Sequence, residues 1–98
     1  MHPIVQDIIN QLRPFKAEKI ILFGSYASGN QHKDSDVDLL IIKTTSDAFL
    51  ERHKKARRLL KTTTPVDIFV LTPEEFEKAK QNNLLVKEAV ETGIIVHG

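Results

Sequence analysis

The chain has 98 residues, enough for one small domain with one core, and its 41 % hydrophobic and 28 % charged content is that of a soluble globular protein. A net charge of +1 excludes a strong overall pull toward nucleic acid or membrane, and the lack of cysteine excludes a disulfide framework and thiolate chemistry. No apolar run reaches the length of a membrane span and no basic-then-apolar leader opens the chain, so a single cytoplasmic domain over residues 1–98 is expected.

Ile4, Val5, Ile8, Ile9 and Leu12 recur at helical spacing, which predicts an amphipathic helix of about three turns. Pro3 suits its first turn and Pro14 ends it. Lys19 to Phe23 reads as a strand, Ser25 to Gly29 as a short helix and residues 29–35 as a polar loop. A second strand runs from Asp36 or Val37 to Ile42; beyond Asp38 it is apolar on both faces, which places it in the middle of a sheet. After a turn at residues 44–47, Ser46 or Asp47 is expected to cap a helix over residues 48–61. Phe49, Ala56, Leu59 and Leu60 are its apolar positions, and Arg52, His53, Lys54, Lys55, Arg57, Arg58 and Lys61 make the remainder basic. Such a face is either solvated or touches phosphate or an acidic partner.

Val66 to Leu71 is the third strand, with Asp67 its only polar residue. Thr72-Pro73-Glu74-Glu75 is a helix start, with a capping hydroxyl and a proline at the first helical position. Phe76 and Ala79 should face inward, Asn82-Asn83 should break the helix, and Leu84, Leu85, Glu88 and Ala89 continue at helical spacing until Gly93. Ile94 to Val96 supplies a short edge strand. The order of elements predicts an α/β protein of the α+β type, a small mixed sheet flanked by helices.

The chemistry is concentrated in residues 20–42. Side chains alternate along a strand, so Asp36 and Asp38 share a face with Cα atoms about 6.5–7 Å apart. Two like charges this close call for a positive ion between them, and hard oxygen donors suit magnesium bound together with substrate phosphates. Gly24 at the end of the first strand lets the backbone approach a ligand, and the Ser25 hydroxyl and first helical N–H groups suit a phosphate. A carboxylate in the apolar third strand should be at least half-buried, so Asp67 also needs a positive partner. Other motifs fail. Asp34, Asp36 and Asp38 mimic the first ligands of a calcium loop, but Leu39 and Thr45 stand where glycine and glutamate belong. Gly24 to Gly29 has Walker A spacing, but Asn30 replaces the lysine. Neither Ser25 nor Ser28 sits in a nucleophile elbow, and His2, His32, His53 and His97 are too scattered for zinc.

Leu22-Phe23-Gly24-Ser25, ten intervening residues, then Asp36-Val37-Asp38-Leu39-Leu40 between apolar strands resembles the nucleotidyltransferase superfamily, and within it the small stand-alone branch of minimal nucleotidyltransferases. The resemblance covers residues 17–72 and is specific because glycine-serine, spacing, acidic pair and both strands must coincide. It implies the nucleotidyltransferase fold, with Asp36, Asp38 and the matching third-strand Asp67 as catalytic residues and ligands of two Mg²⁺ ions. It likewise implies Gly24, Ser25 and Ser35 as nucleotide contacts. The implied activity is transfer of a nucleoside monophosphate, AMP from ATP, to a protein hydroxyl. The implied partner is a helical protein of the HEPN type, paired as toxin to this antitoxin. One departure stands out: the branch often carries arginine where this chain has Tyr26 and Ser28. Lys33 or an arginine of the partner would then supply the missing charge. The alternative reading is a catalytically weak module that neutralises a partner by contact; an RNA acceptor rests on the basic helix alone. A homo-oligomer is compatible with either.

Overall fold

A computed structural model describes residues 1–98. The elements follow in the order α1 (Pro3–Leu12), β1 (Lys19–Phe23), α2 (Ser25–Ser28), β2 (Val37–Ile42), α3 (Phe49–Leu59), β3 (Val66–Leu71), α4 (Pro73–Asn82), α5 (Leu84–Thr92) and β4 (Ile94–His97). Pro14 sits in a single tight turn, Arg13–Phe15, that closes α1. The sheet order is β3-β2-β1-β4, with β2 parallel to β3 and antiparallel to β1, and β4 antiparallel to β1. The apolar β2 is therefore central, and the sheet is mixed as expected.

The sheet carries a separate apolar layer on each face. Ile20, Leu22, Val37, Leu39, Ile41, Ile68 and Val70 pack with Val5, Ile8 and Leu12 of α1 and Ala56 of α3. Ile21, Phe23, Leu40 and Ile42 pack with Phe76 of α4 and with Val86 and Ala89 of α5. Thr72 caps α4 reciprocally with Glu75, and the Asn83 side chain accepts the N–H groups of Leu85 and Val86 to start α5. No helix is long and apolar enough to cross a membrane.

Three expectations are corrected. Neither Ser46 nor Asp47 caps α3: Ala48 holds the cap position, and Asp47 instead pairs with Lys55 at 2.7 Å. Phe49 is 50 % exposed, whereas Arg52 is buried. The Arg52 guanidinium donates to the Glu75 carboxylate and to the carbonyls of Val70 and Asp47, a set of acceptors drawn from three separate segments. Asp67 is exposed: at the start of β3 it projects from the face opposite Val66, and only the Val66 side is buried.

Candidate functional site

Strand alternation decides which groups meet. Val66, Ile68 and Val70 of β3 enter the α1/α3 layer, so Asp67 projects from the other face, as does Asp38 of β2. The parallel register sets Asp38 directly against Asp67, and the antiparallel register sets Asp38 against Phe23, the last residue of β1. Asp36 shares the parity of Asp38 but stands one residue before β2, exposed at the rim. All three carboxylates lie at one end of the sheet on one face. Asp38 and Asp67 are within hydrogen-bonding reach of each other. No three acidic or imidazole groups are drawn tightly enough to form a ready-made cation cage.

The electrostatics follow from that crowding. Burial, then the negative charges of Asp67 and Asp36, push the Asp38 carboxyl up to about 6. Glu88 of α5 adds a further negative charge. This fourth acidic group escapes sequence reading; its only signal is its place next to the buried Ala89, and that is informative only once α5 lies over the sheet.

The glycine-serine turn presses on the same pair. Gly24 adopts φ 75°, ψ −155°, and a Cβ there would stand 2.2 Å from Asp38 Oδ2. Glycine is thus required twice, by the backbone and by the carboxylate. The following α2 is a single turn, too short to build much dipole, so anion binding there rests on local N–H groups and the half-buried Ser25 hydroxyl. Ser35 is buried, and its Oγ accepts the His32 N–H at 2.9 Å. That bond fixes the turn leading into Asp36 and leaves the hydroxyl proton for a ligand. Tyr26 packs edge-on against His2, with ring centres 5.2 Å apart. Lys33 is exposed on the loop before Asp36.

The two surface cavities, of about 270 and 300 Å³, open elsewhere and include none of these carboxylates. Asp36 and Asp67 are exposed and Asp38 half-buried between them.

A mixed sheet between two helical layers, whose glycine-serine turn abuts an aspartate pair on the central β2 and the neighbouring edge strand β3, is the architecture of a nucleotidyltransferase. The chain belongs to the nucleotidyltransferase domain family, which matches residues 4–96. A Methanocaldococcus jannaschii protein, named as the putative protein adenylyltransferase MJ0604, is 31 % identical over 97 residues, covering 95 % of this chain and 94 % of that one. A second one from the same organism, MJ0141, bears the same description and is 34 % identical over 55 residues, 56 % of each chain. Among solved structures, a toxin-antitoxin with AMP-PNP is 29 % identical with a TM-score of 0.62, covering 95 % of this chain and 72 % of that one. A mutant of the toxin-antitoxin MntA-HpeT, in which two aspartates two positions apart are glutamates, is 26 % identical with a TM-score of 0.63 over the same shares.

Proposed function

We propose that the chain transfers AMP from ATP to a hydroxyl of a partner protein, with Asp36, Asp38 and Asp67 as the catalytic carboxylates. The observation that carries this reading is the in-register Asp38–Asp67 pair beneath the Gly24 backbone, with Asp38 pushed up to about 6 by burial and by its acidic neighbours. Such perturbed carboxylates cluster where chemistry is done. The relatives named as protein adenylyltransferases and the AMP-PNP-bound toxin-antitoxin support AMP as the group transferred and a protein as the acceptor.

The donor set is all hard oxygen, and a divalent cation would offset both the burial and the repulsion that raise Asp38, so these residues fit magnesium. Held by Asp36, Asp38 and Asp67 together with the triphosphate, since the three carboxylates alone form no cage, it would neutralise triphosphate charge and stabilise the entering and leaving oxygens. The chain's own groups do the rest. The Gly24 backbone and the Ser25 hydroxyl hold the phosphates, and the Ser35 hydroxyl proton is a further donor. The acceptor oxygen attacks the α-phosphorus, the bond to the bridging oxygen breaks, and pyrophosphate leaves. Asp67, exposed beside Asp38, takes the proton of the attacking hydroxyl. The exposure of Asp36 and Asp67 suits an acceptor presented by a second protein, and the toxin-antitoxin neighbours support a toxin in that role.

A second reading is a contact-only neutraliser. It is favoured by Tyr26, which is spent on packing against His2 rather than on phosphate. Calorimetry with Mg-ATP and incorporation of α-labelled ATP, before and after Asp36→Asn, separate the two. The transferase binds ATP and loses incorporation on substitution; tight partner binding with no nucleotide heat marks the neutraliser.

A further inference from the structure

The outer face of α3 is not used by the fold. Leu50, Lys54, Arg57 and Arg58 stand at i, i+4, i+7 and i+8, hence on one side of the helix, and Lys61 follows just past its end. All five are exposed, and none of the four cations makes an ion pair or a side-chain hydrogen bond. The helix dipole accounts for cations at the C-terminal end, Arg57, Arg58 and Lys61, but not for Lys54. Nearby, Phe49 and Leu50 are 50 % and 67 % exposed.

The stripe also has a direction. Arg52 and His53, near the start of α3, bond to Val70, near the end of β3. The helix therefore runs antiparallel to β3, and its basic C-terminal end lies toward the end of the sheet where Asp67 begins β3.

We infer that this stripe is the docking surface for an acidic segment of the protein that carries the acceptor hydroxyl. The inference rests on the protein-acceptor reading. Charge complementarity selects the partner: unpaired cations on one helix face, bordered by apolar Phe49 and Leu50, match glutamates and aspartates flanking an apolar or aromatic residue. Nucleic acid fits less well. The net charge of +1 gives no overall pull toward a phosphate backbone, and Phe49 is the only exposed phenylalanine, tyrosine or tryptophan ring, which is little surface for stacking bases. Because α3 covers the face opposite Asp67, a segment held along it reaches the carboxylates by passing round the start of the edge strand β3.

The test uses fluorescence anisotropy with two labelled probes, a random glutamate–tyrosine copolymer and an RNA oligonucleotide of matched charge. The proteins are the wild type, Arg57→Gln/Arg58→Gln and the charge-matched control Lys78→Gln/Lys87→Gln. The expected result is binding of the copolymer, weakened about tenfold by the α3 pair and little by the control, as befits loss of two exposed charge contacts. Equal effects of the two double variants, no binding by the wild type, or tighter binding of RNA would overturn the inference. Incorporation of α-labelled ATP into the copolymer is followed in parallel. Charge-specific binding without label supports the surface and counts against the transfer reading; label without charge-specific binding does the reverse.

Discussion

At the scale of single residues, the site is held in a state the fold alone does not favour. Asp38 keeps its proton to about pH 6 in the folded chain, while an unfolded aspartate releases it near 3.8. Between those values the unfolded chain is ionised and the folded one is not, so stability falls as pH rises through that window and stays reduced above it. Asp38→Asn removes this penalty. In metal-free protein it should melt higher than wild type at pH 8, the gap should close below about pH 4, and AMP transfer should be lost throughout; thermal melts in EDTA and label incorporation check both halves. Gly24→Ala acts in the opposite sense. Its φ and ψ cost any other residue about 1–3 kcal/mol, and its Cβ would displace the Asp38 carboxylate. It should lower the melting temperature and depress activity further than that instability explains. That the Gly24 turn and Asp38 would meet at one end of the sheet was legible because their spacing is local. Glu88 was not, because its relevance depends on where α5 lands. The exposure of Asp67 was missed because an apolar run does not say at which residue the covering helices stop.

At the scale of elements, α3 closes the free edge of the sheet. The Val70 N–H donates to His53 Nε2 at 3.0 Å, and the Val70 carbonyl accepts from Arg52 at 3.3 Å, so both main-chain groups of an outer strand residue are occupied by helix side chains. His53→Leu leaves that N–H unsatisfied and should cost about 1–3 kcal/mol in chemical denaturation, with no effect on nucleotide binding. The boundaries of β1 and β3 and the start of α4 followed from apolar runs and from the Thr72-Pro73 cap. The burial of Arg52 did not. A helical wheel assigns arginine to solvent, and its real partners, Glu75 and two carbonyls, come from other parts of the chain.

At the scale of the whole molecule, two apolar layers sandwich one sheet, and β4 pairs with β1 at its edge. Gly93 makes the docking possible by closeness rather than by unusual backbone: a Cβ there would meet the Ala89 carbonyl oxygen at 2.2 Å and Ile21 Cγ2 at 2.6 Å. Gly93→Ala should therefore destabilise by about 1–3 kcal/mol, the range for overpacking, with the loss read from denaturant melts. The central position of β2 was legible from its two-faced apolar character, and an edge strand at residues 94–96 from its brevity. The pairing of β4 with β1 was not, since sheet order depends on which strand edges the helices leave open.

The most direct measurement compares ATP labelled at the α- and at the γ-phosphate, with Mg²⁺, in wild type and Asp67→Asn. The account predicts that the α label enters protein while the γ label leaves as pyrophosphate, and that Asp67→Asn abolishes the transfer without unfolding the chain. Entry of the γ label, or undiminished α-label incorporation by Asp67→Asn, would contradict it.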